Sequence, residues 1–347
     1  MTGRTRKARR SAVLLCLLFS LLLSLSACSP QQKPAADAPE KDLVMVGFSQ
    51  VGAESDWRLA NTASMTNAFS PENGYRLTIL EANQEQRNQI TAIRRFINEN
   101  VDYIVLAPTQ ESGWETVLSE AKDAGIPVII VDRMIAIDGD KLDTRAEDLF
   151  TCWVGSDFRR EGDKAVAWME QTFGDSPLNI VHLQGNLGSS AQKGRTEGLD
   201  AGLAAHKNWR LAFRASGEFT LARGQELVEE VLRNGLLDAS DPDVVNVIYS
   251  ENDNMAYGAI NALKKAGLKP GEDVVIISFD AANAALHLIL EGEISFDVEC
   301  NPLHGPRVRA LIEQLRQGKT PPKYTYVEEE TFSRENLTEE IIRSRGY

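Results

Sequence analysis

Cysteine, histidine and positive charge are scarce in this chain of 347 residues. It has four cysteines and four histidines, and 37 Lys and Arg stand against 50 Asp and Glu, a net charge of −13. The histidines, at positions 182, 206, 287 and 304, are scattered and make no metal-ligand spacing, so neither a metal nor a cofactor is expected. The acidic balance argues against nucleic-acid binding through general electrostatics. No G-x-G-x-x-G follows the first apolar strand, which removes the main sign of a nucleotide-dependent dehydrogenase. Tandem repeats are also lacking. The apolar run Ala12–Leu25 has 14 residues, short of the ~20 that a membrane span requires.

That run follows a basic head (Arg4, Arg6, Lys7, Arg9, Arg10) and reads as a secretory signal. It closes on Leu25-Ser26-Ala27-Cys28, which resembles a bacterial lipobox, with Cys28 the expected lipidation site. Residues 29–41, SPQQKPAADAPEK, form a tether with little to bury. The expectation is a domain held by a lipid anchor at the outer face of a bacterial membrane or in the periplasm. Without residues 1–27 the chain keeps 32 basic against 50 acidic residues, a net of −18. Cys152 and Cys300 then remain in an oxidising compartment, where two readings stand: a disulfide, or two small apolar core residues.

From Lys41 onward short apolar runs alternate with amphipathic stretches, the pattern of βαβ units on parallel sheets. YIVLA (103–107) and PVIIV (127–131) read as buried strands; Gln86–Asn98 carries Ile90, Ile93, Phe96 and Ile97 on one helical stripe. The same grammar restarts after residue 150 and ends on Tyr324–Thr331 as a last strand. The fold class is α/β, with two similar doubly wound, Rossmann-like lobes joined by a hinge. The expected divisions are 1–27 (signal), 28–41 (tether), a first lobe of 42–150 and a second of 151–295. The lobes share the tail 296–347.

Polar residues gather where strands end. VMVGFSQVGAESDWR places Glu54, Trp57 and Arg58 after the first strand. PVIIV ends on Asp132-Arg133, and VVIISF ends on Asp280. Asn252 follows the strand Val244–Ser250, and Arg195 lies in the helix after Gly185–Gly188. Ligands of open parallel sheets bind beyond the carboxyl ends of the strands. Acids there accept from hydroxyls, Arg and Asn donate, and an aromatic face covers C–H groups, which suits a polyol. Each residue also has a bland reading: Asp280 as a helix cap, Asp132–Arg133 as a local pair, Trp57 as core.

The segments VGFSQVGAESDWR, QRNQITAIRRFI, VDYIVLAPTQESGWETVLSEAKDAGIPVIIVDR, LQGNLGSSAQKGR, SGEFTLARGQE, YSENDNMAYGAINALKKAGLKPG and IISFDA occur in order over Leu43–Thr331. This arrangement resembles the periplasmic-type sugar-binding proteins of ABC importers, in the ribose-binding-like class and most of all its galactofuranose-binding members. The resemblance implies a type I periplasmic binding fold and no catalysis. It implies a monosaccharide held by Glu54, Trp57, Arg58, Asp132 and Arg133 from one lobe and by Arg195, Asn252 and Asp280 from the other, with Phe219 and Phe279 as aromatic walls. It further implies a monomer that serves an ABC permease and its ATPase. Asp56 departs from the family's glycine at that position. Cys152 and Cys300 fall where the family's chain crosses between lobes, which makes the disulfide reading one at the hinge.

Three rivals remain. A glycoside-processing enzyme would use two of the carboxylates Glu54, Asp132 and Asp280 as acid and base. A repressor's ligand-sensing domain would need a helix-turn-helix where the signal stands. A sugar receptor for a membrane sensor kinase would share the site but not the permease.

Overall fold

The computed structural model describes residues 43–136, 147–237 and 243–347. The signal, the lipobox at Cys28 and the tether lie outside the described residues. Among the described residues no helix is long and apolar enough to cross a membrane.

The chain begins with β1 (Val44–Gln50), α1 (Asp56–Ala68), β2 (Tyr75–Glu81), α2 (Gln86–Asn98), β3 (Tyr103–Leu106), α3 (Glu115–Asp123), β4 (Val128–Val131) and β5 (Cys152–Gly155). It continues through α4 (Phe158–Phe173), β6 (Leu178–Gln184), α5 (Ser190–Ala205), β7 (Trp209–Ser216), α6 (Leu221–Arg233), β8 (Val245–Ser250), α7 (Asp253–Lys265), β9 (Val275–Asp280), α8 (Asn283–Glu291) and β10 (Phe296–Glu299). Last come α9 (His304–Arg316), β11 (Tyr324–Tyr326), β12 (Thr331–Phe332) and α10 (Glu339–Ser344).

Two six-stranded sheets result, in the orders β11-β5-β4-β3-β1-β2 and β12-β10-β9-β8-β6-β7. Every pairing is parallel except β10 with β12. The central strands are apolar on both faces because helices cover both. In the first sheet, Phe48 and Val131 meet Val308 and Leu311 of α9, while Ile104 and Ile130 meet Phe96 and Leu118 on the opposite side. The second sheet is covered in the same way, with Ile248 and Ile276 against α6, α7 and α8 and with Ile277 against Met169 and Leu199.

The division between the halves differs from the expected one at two places. Strand β5 pairs with β4, Ile129 opposite Cys152, so the first sheet continues to Gly155 rather than stopping near 150. Its sequence, CWVG, is as apolar as its neighbours, and only pairing decides which sheet takes it. The single strand expected over Tyr324–Thr331 is two: β11 closes the first sheet and β12 the second. Glu328, Glu329 and Glu330 fall between them, where the chain passes from one lobe to the other. The chain thus crosses three times, at 156–157, 300–303 and 327–330.

One buried pair inside the second lobe bears on its stability. Asp253 accepts from Ser278 Oγ (2.6 Å) and from the Ala282 amide (2.9 Å), and Asp297 accepts from the Ala281 amide (3.2 Å). Burial raises both carboxyls, Asp253 to about 6, and the neighbouring Asp253 charge raises Asp297 further. Two adjacent buried carboxyls hold one proton between them. Such a proton stabilises the fold fully below the ordinary carboxylate range, and that stability is lost as pH rises toward the raised values. Asp297→Asn supplies the neutral partner permanently. Its unfolding free energy relative to wild type is expected to improve between pH 5 and pH 8 by about 1.4 kcal/mol per unit of pKa displacement removed. Urea titrations at the two pH values measure this.

Candidate functional site

The carboxyl ends of both sheets open on one cavity between the lobes. Nine of the ten residues expected to bind a ligand line it: Glu54, Trp57, Arg58, Asp132, Arg133, Arg195, Phe219, Asn252 and Asp280. Ser55, Phe158, Ala191 and Cys300 complete the wall; Ser55 lies in the expected stretch from Glu54 to Arg58, and the other three were not anticipated as contacts.

Phe279 does not reach the cavity. It is fully buried among Tyr249, Ile277 and Val298 on the far face of β9. Side chains alternate along a strand, so an aspartate at 280 that faces the cleft turns residue 279 away from it. Phe279 supports the site from behind, its ring 4.9 Å from the Arg195 guanidinium carbon. The disulfide is also corrected. Cys152 and Cys300 are both free and buried, Cys152 in the core under the first sheet and Cys300 against the cavity.

Local sequence explains how each group is placed. Ser55 caps α1, its hydroxyl accepting the Arg58 amide at 3.2 Å, so the helix starts with Trp57 and Arg58 directed inward. Asn252 caps α7 through the Met255 amide (3.0 Å) and donates to the Phe219 carbonyl (3.1 Å). Asp132, Phe219 and Asp280 have φ of 66°, 62° and 111°. Left-handed backbone at a non-glycine residue costs about 1–3 kcal/mol, and such residues gather at functional sites. Gly155 makes one of these turns feasible: a Cβ there would stand 2.2 Å from the Asp132 carbonyl oxygen. Gly185 gives Phe219 its position in the same way, since a Cβ would lie 1.9 Å from the ring.

The charges form linked pairs. Arg58 Nη2 is 2.9 Å from Asp132 Oδ2, and its Nε donates to Glu54 Oε1 at 3.1 Å. Arg133 Nη2 is 3.6 Å from Glu54 Oε1. Arg195 donates through Nε to Glu161 Oε2 (2.6 Å) and through Nη2 to Asp280 Oδ1 (3.5 Å). All three arginines are 3% exposed or less, so these are desolvated pairs. Burial opposes the charge on Arg58, yet Asp132 and Glu54 more than offset it and hold the guanidinium above its ordinary range. Arg133 is lowered, by burial first and by the Arg58 charge second. Burial raises the Asp280 carboxyl strongly, against the pull of Arg195.

Each guanidinium also lies on an aromatic ring: Arg58 on Trp57 (4.6 Å), Arg133 on Phe219 (5.3 Å) and Arg195 on Phe279 and Phe158. The rings cover the faces of the arginines, so hydrogen bonds form at their edges. Glu54 Oε2 and Arg133 Nη1 are buried and have no hydrogen-bond partner in the protein. One acceptor and one donor thus remain for a neutral molecule with hydroxyl groups.

The two lobes touch around this cavity. The Trp57 indole donates across to the Cys300 carbonyl, and the Asp56 amide to Asn254 Oδ1 (3.0 Å). At the rim Asn186 donates to Gln84 (2.6 Å), Lys193 pairs with Glu111 (2.5 Å), and the Met134 amide donates to Ser190 Oγ (2.9 Å). This is a closed arrangement, with the cavity between the halves.

Comparison with known proteins agrees with this architecture. The model of the periplasmic binding protein domain matches residues 46–304. The chain belongs to the periplasmic binding protein family. The galactofuranose-binding protein of Escherichia coli K12 is 33% identical over 330 residues, covering 95% of this chain and 99% of that protein. Among solved structures, a Mycobacterium smegmatis protein in complex with β-D-fucofuranose is 36% identical, with a TM-score of 0.76, covering 84% of this chain and 92% of its own. The binding component of the arabinose ABC transporter of Shewanella sp. ANA-3, bound to α- and β-L-arabinofuranose, matches at 36% identity and TM-score 0.76 over the same shares. Membership confirms the type I fold of two parallel-dominated α/β lobes and implies an extracytoplasmic location. Its homologues are sugar-binding transport proteins, and this periplasmic binding protein is likewise not an enzyme.

Proposed function

We propose that this protein captures one monosaccharide in furanose form, a galactofuranose-like hexose or a pentose, and delivers it to an ABC permease and its ATPase. The observation that carries the reading is the closed cavity between the lobes, with a buried donor and a buried acceptor left over from the pairing of three arginines with four carboxylates. The relatives named above bind furanose sugars by their own descriptions, which supports the ring form. In this reading Asp132, Glu54 and Asp280 accept from ring hydroxyls, and Arg58, Arg133, Arg195 and Asn252 donate. Phe219 and Trp57 cover the apolar faces. Charged partners strengthen each such bond, and a missing hydroxyl leaves a buried charge unmet.

Closure by hinge bending brings the contacts of both lobes to one ligand. The working form is a monomer, lipid-anchored through Cys28, whose closed state the permease recognises. The test is a thermal-shift screen of the purified protein with D-galactose, D-fucose, L-arabinose, D-ribose and D-fructose. A sugar at a hundredfold its Kd should add about 2.7 kcal/mol of stability, and Asp132→Ala should remove the shift. If no sugar shifts the transition, the monosaccharide reading is wrong.

A further inference from the structure

Behind the cavity the three crossings meet at a cluster of side chains, of which Cys300 alone also lines the cavity wall. Ser156 belongs to the first crossing, Cys300 and Asn301 to the second and Glu329 to the third, while Glu161 faces them from the start of α4. Glu329 Oε1 accepts from Ser156 Oγ (2.5 Å) and from the Asn301 amide (2.9 Å). The Ser156 hydroxyl is thereby spent as a donor, so in its 3.4 Å contact with Cys300 Sγ the thiol donates. Burial holds Cys300 in that protonated form.

Glu161 spends Oε2 on Arg195, but its Oε1 is buried and has no hydrogen-bond donor in the protein. The carboxyl of Glu329 stands beside it, with an oxygen from each and Cys300 Sγ all within 4.8 Å of one another. The surrounding charges do not balance. Arg195 from α5 is the cation paired with Glu161, while Asp280 at the end of β9 adds a third carboxylate. The Lys164 ammonium on α4 donates to the Glu329 backbone carbonyl at 2.7 Å rather than to its carboxylate.

We propose that Glu161 and Glu329 share a single proton and form a positioning pair, which fixes Arg195 toward the cavity and ties the three crossings together in the closed form. The proton is the donor that Glu161 Oε1 lacks. Burial raises both carboxyls above the ordinary range; the Glu161 charge adds to the effect on Glu329, and Arg195 works against it on Glu161. Glu329 rides on the strap from β11 in one sheet to β12 in the other, whereas Glu161 belongs to the second lobe. Opening therefore parts the two carboxyls and admits water. The closed form holds the proton more tightly, so it is favoured at low pH and weakened as pH rises from the ordinary carboxylate range toward the raised values.

The affinity arm of the test rests on the sugar-binding reading and uses L-arabinose as the probe. Wild-type affinity is expected to fall about fivefold or more between pH 5.5 and 8.5, while Glu329→Gln, neutral at every pH, loses most of that slope. Calorimetry in buffers of different ionisation enthalpy should show proton uptake on binding in wild type and less in Glu329→Gln. A flat wild-type profile, or a slope unchanged in the variant, overturns the proposal.

If L-arabinose does not bind, the sugar reading is at fault and a ligand-free arm decides. Urea unfolding at pH 5.5 and 8.5 should show Glu329→Gln gaining on wild type as pH rises; a constant difference overturns the pair. Should that variant fail to fold, Ser156→Ala removes a donor from the Glu329 carboxylate and should move the stability midpoint to higher pH. An unmoved midpoint overturns it equally.

Discussion

Arg195→Met is expected to abolish sugar binding and to cost about 3–5 kcal/mol of stability, because it strands Glu161 and Asp280 in the interior without their cation. The guanidinium also donates to the Glu251 carbonyl and lies on Phe279, so no neighbour replaces it. The loss has a sign that identifies its cause. Both stranded carboxyls already bind protons more tightly than free ones do, and without Arg195 they hold them more tightly still. Their charge is then neutralised in acid, so the deficit against wild type should shrink from pH 8 to pH 5. Denaturant unfolding at both pH values, with circular dichroism to confirm the fold, measures it. An equal deficit at both would mean that lost packing rather than stranded charge dominates.

The second large effect is expected at Trp57→Ala. This indole is 5% exposed and lies in the second lobe's core cluster although its helix belongs to the first. It donates to the Cys300 carbonyl, meets His304 edge-on at 5.7 Å and supports Arg58. Truncating a buried tryptophan costs about 3–5 kcal/mol. Here the loss falls on the contact that joins the lobes. Affinity should drop at least as much as stability, and Arg58, without its plate, should no longer hold Asp132 in place. Trp57→Phe, which keeps an aromatic ring but loses the N–H and part of the indole's volume, should lie between the two; parity with wild type would show that the bond to Cys300 contributes little. Ligand titration alongside melting separates the effects.

Much of this site was legible because parallel sheets present their ligands at strand ends. An apolar run that stops on an acid, as at Val131-Asp132 and Phe279-Asp280, places that acid in the crevice whatever the rest of the chain does. Phe279 was misplaced although the pleat carries the correcting signal: with Asp280 assigned to the cleft, its neighbour had to face away. Phe158 was readable too, as an aromatic one residue past the cap of a helix that follows a strand. Other features left no local trace. Whether CWVG joins the first sheet or the second depends on which strand edge it meets, and both edges suit an apolar strand. Ser156, Cys300 and Glu329 lie up to 173 residues apart and come together only because three crossings converge. The acids at 328–330 fall inside the run expected as one strand over Tyr324–Thr331, and only the crossing between the two sheets turns one of them inward.

The three crossings also bear on how the chain is made. One face of the sheet that begins with β1 is not fully covered until Val308, Leu311 and Ile312 of α9 arrive, and the sheet gains its edge strand only at Tyr324–Tyr326. A ribosome delivers the amino-terminal end first, so most of the polypeptide emerges before that lobe can bury its apolar face. Contacts between residues this far apart in sequence also form slowly. The first lobe therefore completes its core only late in synthesis.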